Sequence, residues 1–254
     1  MSHEIDARRG AFPAVREIGF GRPLAWLGQG WRDFLAHPLQ SAFYGACFAV
    51  MGWLIVFTFR NAYQYVSALV TGFFLVGPFL AIGLYALSRR REQGEPPWLA
   101  PTLDAWAPNK SAIGMFALVL AVILLVWARA SLVVFALFFT QDMPSVQDFM
   151  GQVFSFANIE FLLAYLCVGG FFAVLVFAIS VVSVPMMLDR HVDGVIAVLT
   201  SLKAFGSSVP AMILWGLTIA LVIGAGFALW FVGLVVAVPV IGHATWHAYR
   251  ELVE

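Results

Sequence analysis

Two histidines near the end of the sequence, His243 and His247, have the spacing that best fits a chemical role. They stand four positions apart, so both side chains project from one face of a helix. Imidazoles in this arrangement could bind one metal ion or supply a ligand to haem iron. Trp246, Tyr249 and Arg250 stand beside them, and amphipathic side chains of this kind collect at a membrane surface. We therefore keep the two histidines as a candidate ligand pair and expect no cofactor, haem or transition metal.

A second polar pair is predicted from Arg129, which lies inside an apolar run. A charge at the centre of a bilayer costs about 2.5–3.5 kcal/mol, so its depth matters. A helix that begins near Ser111 rises about 27 Å by this position, which places the arginine near the far interface. There it can extend toward water or pair with Glu160 at the start of the next run. The functional alternative is a contact with an anion or a lipid headgroup.

The sequence lacks the catalytic motifs that would indicate an enzyme. It contains no Gly-x-Ser-x-Gly turn, no His-Glu-x-x-His helix and no glycine-rich phosphate loop. Ser207 and Ser208 follow a glycine at the start of an apolar run, where they suit a helix cap. We therefore expect no catalytic residues and no enzymatic activity.

The elements that position these residues are apolar runs long enough to cross a bilayer. Hydrophobic residues form 62% of the 254 residues and charged residues 11%, whereas soluble domains are about 25% charged. A membrane-spanning helix needs about 20 apolar residues. The composition and the runs predict an all-α polytopic membrane protein with six transmembrane helices. The predicted spans are 41–59, 65–87, a third from about 111, 161–188, and two short spans within 210–249, where a single tilted helix is the alternative.

The distribution of basic residues predicts the orientation of these spans. Twelve of the 14 Lys and Arg residues fall in the N-terminal segment, the second and fourth connections and the C-terminal end, and only Arg60 and Arg129 fall on the other side. Basic residues favour the cytoplasmic side of a membrane. We therefore expect a protein of the bacterial inner membrane with both termini in the cytoplasm. Residues 1–23 are predicted to be a polar cytoplasmic tail, and 24–254 a single membrane domain.

A weak internal repeat of three units organises the predicted bundle. Short amphipathic stretches at 24–38, 98–108 and 195–205 precede the odd-numbered spans and are expected to lie along the membrane surface. Each even-numbered span carries a proline, namely Pro78, Pro185 or Pro239. The repeat fits a scaffold, and the alternative is a transport pathway along the interfaces between repeats, because broken helices line the sites of some transporters.

Small residues on the fifth predicted span form a ridge for close helix packing. Gly216, Ala220 and Gly224 recur at intervals of four, a spacing that lets two helices approach closely in a membrane. We expect this ridge to pack within the same chain, and dimerisation is the alternative.

Three segments of the sequence resemble a known family. They are GWRDFLAHPLQSAFYG at 30–45, GPFLAIGLYALSRRREQGE at 77–95 and PVIGHATWHAYREL at 239–252. Over about residues 15–252 the chain resembles a group of bacterial integral membrane proteins, the domain-of-unknown-function family numbered 2189. Some of its members are labelled as cytochrome c oxidase subunits. The five histidines of this chain are too few for the haem and copper ligands of a catalytic oxidase subunit, which leaves an accessory subunit or assembly factor.

Taken with the absence of motifs, these features predict a non-catalytic inner-membrane scaffold or accessory protein. Its partners would be the lipid bilayer and another membrane protein subunit, in a respiratory or envelope complex. The net charge of zero gives no reason to expect nucleic acid as a partner. The alternative is a small oligomeric transporter or channel for a small solute or lipid. Such a protein needs polar residues at mid-depth, and the predicted spans contain few: Thr71, Ser180, Ser183 and Thr218.

Overall fold

The computed structural model describes residues 13–61, 66–139 and 158–253, and these residues form helices joined by short turns. The chain divides into two compact units, which we call the terminal unit (Met1–Ala117 with Ala178–Glu254) and the middle unit (Leu118–Phe177). The first 12 residues of the predicted tail lie outside the described residues. The helices are α1 (Arg22–Ala36), α2 (Pro38–Asn61), α3 (Val66–Glu92), α4 (Ala100–Leu103), α5 (Lys110–Phe138), α6 (Ile159–Ser180), α7 (Ser183–Arg190), α8 (Gly194–Ser207), α9 (Val209–Ala228) and α10 (Leu234–Leu252).

Four helical segments of the described chain are long and apolar enough to cross a membrane. The helix α10 is not among them, because its second half carries polar residues such as His243, His247 and Arg250. The helix α3 is not among them either, and many side chains of its first half lie outside the described residues. The candidate spans are Pro38–Asn61, Ala100–Phe138, Ile159–Arg190 and Val209–Ala228, two of which join consecutive helices.

The last apolar run forms two antiparallel helices, as the sequence analysis predicts, rather than one tilted helix. The chain turns between α9 and α10 through Trp230 and Phe231, whose φ angles are +53° and +64°. The indole of Trp26 shows that the chain reverses. Its ring lies 5.7 Å from the Trp215 ring near the start of α9, and its Nε1 donates to Glu251 near the end of α10, at 2.7 Å. The start of α9 and the end of α10 therefore lie at the same end of the terminal unit.

The core of the terminal unit is built around α10, which contacts α1, α2, α3 and α9. Glycines allow backbones to meet there. A Cβ atom at Gly30 of α1 would lie 2.4 Å from the Val240 carbonyl oxygen, and one at Gly45 of α2 would lie 2.4 Å from the Val235 carbonyl oxygen. Real side chains cannot occupy those positions without moving the helices. These glycines therefore set the close packing that brings the polar residues of four helices together.

A proline accounts for the break between α6 and α7. Pro185 lacks an N–H and its ring clashes with the carbonyl four residues earlier, which interrupts the helix at 181–182. Ser201 of α8 repairs the gap, because its hydroxyl donates to the Ala178 carbonyl at 2.7 Å and accepts from the Val182 N–H at 3.2 Å. Side chains of neighbouring helices commonly satisfy backbone groups freed in this way.

Helices occupy the three positions where the sequence predicts amphipathic segments, namely α1, α4 and α8. Pro239 lies inside α10, and Pro78 falls within α3 although its side chain lies outside the described residues. The three-unit repeat itself stays a prediction.

The middle unit presents mostly apolar side chains to its surroundings. Its buried aromatic residue Phe161, at the start of α6, packs edge-on against Phe135 and Phe138 near the end of α5, with ring centroids 6.2 and 5.7 Å away. Many other large side chains of its described residues point outward, as expected for helices that face lipid. The exposed ones include Leu118, Leu125, Leu132, Leu137, Leu163, Leu166 and Phe171.

Candidate functional site

A buried carboxylate, Asp33 of α1, forms the centre of a polar cluster in the terminal unit. Its Oδ2 accepts hydrogen bonds from Ser88 Oγ of α3 at 2.6 Å and from His247 Nε2 of α10 at 3.0 Å. Its Oδ1 forms an ion pair with Arg91 of α3. The Asp33 side chain is only 7% exposed, and a buried carboxylate is stable only when such partners surround it. The cluster therefore joins three helices through one side chain.

The hydrogen bonds of His243 extend the cluster to a fourth helix and define its tautomer. Ser88 uses its one hydrogen to donate to Asp33, so its oxygen must accept from His243 Nδ1–H, at 2.7 Å. In the neutral imidazole, Nε2 then accepts from the Ser41 hydroxyl of α2, at 2.9 Å. The result is a directed chain of hydrogen bonds from Ser41 through His243 and Ser88 to Asp33.

Electrostatics keep the Asp33 carboxylate ionised. Burial alone would raise its pKa, but hydrogen bonds from His247 and Ser88 act in the opposite direction, and the pKa lies below its ordinary value. At the end of the same helix, burial and the positive charge of Arg91 lower the pKa of His37. The site is therefore built to hold one negative charge at Asp33.

A cavity of about 290 Å³ reaches one side of this cluster. Asp33, Ser88 and His247 line it, while the buried Ser41 and His243 are not among its lining residues. The rest of its wall is also polar and consists of Gln29, Arg32, Arg91 and Glu92. Water or a small polar solute can therefore approach the carboxylate but does not meet the serine at the other end of the chain.

Two further carboxylates connect the end of α10 to α1 and to α7. Glu251 of α10 accepts from Arg22 Nε at 2.6 Å and from the Trp26 indole at 2.7 Å, both on α1. Asp189 of α7 accepts from the Tyr249 hydroxyl of α10 at 2.8 Å. The backbone N–H of Arg16 also donates to the Leu252 carbonyl, at 2.9 Å. The described beginning and end of the chain are thus held together.

Ser41 and His243 form a serine–histidine pair of the kind that could act as nucleophile and base, but the serine is fully buried. Ser41 donates to His243 in the direction that general-base activation would need. Its side chain has no exposed surface, however, and it lies away from the cavity. A chain of fully bonded, buried polar groups rigidifies the helices that carry it.

The two histidines of the candidate ligand pair have different hydrogen-bond partners in the structure. His247 donates to a carboxylate at the edge of the cavity, whereas His243 bonds two buried hydroxyls. Within residues 13–61, 66–139 and 158–253, no group of three or more His, Cys, Asp or Glu side chains is arranged to hold a metal ion. The expectation that no metal is bound stays a prediction.

Arg129 and Glu160 both lie in the middle unit and both are exposed. Among its described residues, 118–139 and 158–177, no ion pair joins the two side chains. The reason is their height along the helices: the ring of Phe161 meets Phe135, which is about 9 Å along α5 from Arg129 at 1.5 Å per residue. The electrostatic coupling of the two groups stays a prediction.

The small-residue ridge of α9 is not packed along its length in the described part of the chain. Gly216 is half-buried, but Ala220 and Gly224 are exposed, and no atom lies within 4 Å of the place where a Cβ of Gly224 would stand. The close approach occurs two residues later, where a Cβ at Gly226 would lie 2.7 Å from Leu234 Cδ2. Packing of the ridge against another chain stays open.

Comparison with known proteins supports the membrane assignment. Searches of curated proteins and of solved structures returned no match. The family described as a predicted integral membrane protein, DUF2189, matches residues 66–189, which run from the start of α3 to the last turn of α7 and include Ser88 and Arg91. The chain is therefore an integral membrane protein that resembles this family over that stretch.

Proposed function

We propose that this protein is a non-catalytic scaffold or accessory subunit of the bacterial inner membrane, associated with a respiratory or envelope complex. The observation that carries the proposal is the saturation of the Asp33 cluster by its own chain. Asp33, Ser41, Ser88 and His243 bond to one another, and they fasten α1, α2, α3 and α10. A site whose buried polar groups are already paired is better suited to holding a shape than to exchanging a ligand.

The proposed arrangement has six spans with both termini in the cytoplasm. It counts α3 and α10 together with the four candidate spans. The antiparallel α9 and α10 support an even number, and so does the contact of Arg16 with Leu252, since both described ends of the chain lie at the same end of the terminal unit. Arginines concentrate there, among them Arg22, Arg91 and Arg250, which supports a cytoplasmic location.

The middle unit is the proposed surface for a partner membrane protein. Leu125 and Leu166 are 64% and 59% exposed, on α5 and α6, and they belong to a wider set of exposed apolar side chains. In a membrane, such faces contact either lipid or another transmembrane helix. Since the polar residues of the terminal unit are committed to one another, the apolar faces of the middle unit are the part of the chain best able to pack against a partner.

Site-specific photocrosslinking in native membranes tests this proposal. A photoreactive residue at Leu125 or Leu166 should form an adduct with one membrane protein in a reproducible ratio. The same residue at Leu221, an equally apolar and 74% exposed position on α9, serves as the control and should react mainly with lipid. Lipid adducts alone at all three positions would contradict the accessory role.

A transporter is the second candidate, and one observation favours it. The hydrogen-bond chain from Ser41 to Asp33 connects a buried hydroxyl on a candidate span with a polar cavity, as a proton path would. The opposing observation is that the hydrogen-bond chain ends at Ser41, which is fully buried, so this end of the chain has no contact with solvent. Proton or solute flux through the reconstituted protein would favour this candidate.

A further inference from the structure

The turn between α9 and α10 contains no polar side chain except the indole of Trp230. Its large side chains are nevertheless exposed: Leu229, Trp230 and Val232 have 65%, 72% and 55% of their surface accessible. The turn after α3, by contrast, carries Gln93 and Glu95, which are typical of a turn in water. The α9–α10 turn therefore presents a hydrophobic surface that is unfavourable in contact with water.

Contacts with α2 define the height of this turn. The Trp53 indole Nε1 donates to the Trp230 carbonyl at 2.9 Å, and a Cβ atom at Gly52 would overlap the ring of Phe231. Beyond Trp53, α2 continues to Arg60 and rises about another 10 Å at 1.5 Å per residue. The turn therefore ends about 10 Å short of the level that Arg60 reaches.

This level falls inside the layer that α2 crosses. The helix α2 is a candidate membrane span, and from Pro38 to Trp53 it rises about 22 Å, whereas a hydrocarbon layer is about 30 Å thick. Arg60 is exposed at the far end of α2 and marks the polar boundary there, because a guanidinium group is costly inside the layer. The turn is thus recessed into the leaflet on the side away from the Asp33 cluster, which we call the far leaflet.

The backbone of the turn has the hydrogen bonds that this position requires. Acyl chains offer no donor, so a free carbonyl among them is costly. Four of the five carbonyls between Leu229 and Gly233 accept from backbone N–H groups three or four residues later. The fifth, that of Trp230, accepts from the indole of Trp53. The chain therefore satisfies these carbonyls without water.

We propose that this turn lies within the bilayer and that phospholipids of the far leaflet cover it. Leu229 and Val232 contact acyl chains, and the exposed indole of Trp230 suits the boundary between chains and headgroups. A surface with no free carbonyl and almost no polar side chain fits acyl chains, which need only apolar contact. The helices α9 and α10 still meet the Asp33 end of the terminal unit, so the even number of spans is unchanged. The proposal concerns the depth of a turn and does not depend on the scaffold role.

Nitroxide labels on the full chain measure this depth. In a Cys47→Ala, Cys167→Ala background, one label is attached through Leu229→Cys, Val232→Cys or Arg60→Cys, and the protein is reconstituted in phosphatidylcholine vesicles. Collisions with oxygen, which concentrates in hydrocarbon, are compared with collisions with a water-soluble nickel complex. We expect the labels at Leu229 and Val232 to lie about 10 Å deeper than the label at Arg60. Equal depths would overturn the proposal. Rare collisions with both reagents would show that protein covers the turn, and would overturn it also.

A tryptophan variant tests the same depth through stability. Trp53→Phe removes the donor to the Trp230 carbonyl and keeps an aromatic ring. Water would replace the lost donor at an aqueous turn, but acyl chains cannot, so the melting temperature in lipid nanodiscs should fall by at least about 2 °C. Trp98→Phe is the control, because this side chain is 68% exposed next to α4. A decrease in Trp53→Phe no larger than in the control would contradict a turn covered by lipid.

Discussion

His247 Nε2 lies 3.0 Å from Asp33 Oδ2, a contact between residues 214 positions apart in the chain. A carboxylate accepts and does not donate, so the proton of this histidine is on Nε2. Because Nε2 of His247 donates to this carboxylate, it does not face a ligand together with His243. The contact connects α1 to α10. The spacing of His243 and His247 is typical of a metal-binding pair, but in this structure both histidines belong to the Asp33 cluster.

Removing the charge of Asp33 should destabilise the terminal unit. Asp33→Asn leaves Ser88, His247 and Arg91 without their anionic acceptor, and hydrogen bonds to charged groups contribute about 1.5–3 kcal/mol each. We expect the free energy of unfolding in detergent to fall by at least that amount. Asp104→Asn, at an exposed position after α4, is the control and should change it by less than about 0.5 kcal/mol. Equal stability of the two variants would contradict the central position of Asp33.

The sequence predicts the helical membrane class because composition and the length of apolar runs are local properties. It also predicts that the last apolar run forms two helices. The Asp33 cluster could not be predicted in the same way. Asp33 reads as one polar residue of an amphipathic stretch, and Ser41 and Ser88 are ordinary residues near the ends of apolar runs. Their role depends on which helices meet, and one sequence does not contain that information.

Two predicted features of the site, the ridge of α9 and the pair of Arg129 with Glu160, stay predictions, and the geometry of the helices bears on both. The ridge of Gly216, Ala220 and Gly224 has the right spacing, but the turn after α9 places the close contact at Gly226. Arg129 and Glu160 lie on consecutive apolar runs, yet helical rise separates them along the helices. Spacing in the sequence identifies a face of a helix, whereas the height at which two helices touch depends on their packing.

Stability should fall in acid as Asp33 becomes protonated. Its pKa in the folded protein lies below the ordinary value of 3.8, so its contribution to stability is fully present above that value and is lost as the pH falls through the lower, folded pKa. We expect the melting temperature of the unaltered protein to decline below about pH 4, and Asp33→Asn to lose part of that decline. Parallel pH profiles for the two proteins would contradict this assignment.

Two glycines of α1 provide a matched test of its packing against α10. Gly30→Ala would bring a Cβ within 2.4 Å of the Val240 carbonyl oxygen, and overpacking of this kind costs about 1–3 kcal/mol. Gly28 has no atom within 4 Å of its Cβ position, so Gly28→Ala should be neutral or raise stability by up to about 1 kcal/mol. Thermal unfolding in detergent distinguishes the two. A loss in Gly28→Ala as large as in Gly30→Ala would contradict the close contact.

Reporter fusions test the proposed six-span arrangement. Fusions after Asn61, Gln147 and Phe231 should report the periplasmic side. Fusions after Gln93, Asp193 and Glu254 should report the cytoplasmic side, because the basic residues concentrate next to those positions. A periplasmic signal after Glu254 would contradict the even number of spans.

Proton flux through reconstituted protein tests most directly whether the Asp33 cluster is a structural element and not a pathway. The protein is placed in liposomes that carry a pH-sensitive dye, and a pH difference is imposed across the membrane. Because Ser41 is buried and its hydrogen-bond chain stays within α1, α2, α3 and α10, we predict that the unaltered protein gives the same proton leak as protein-free liposomes. A leak well above that background, and reduced in folded Asp33→Asn, would contradict the account and establish the transporter in its place.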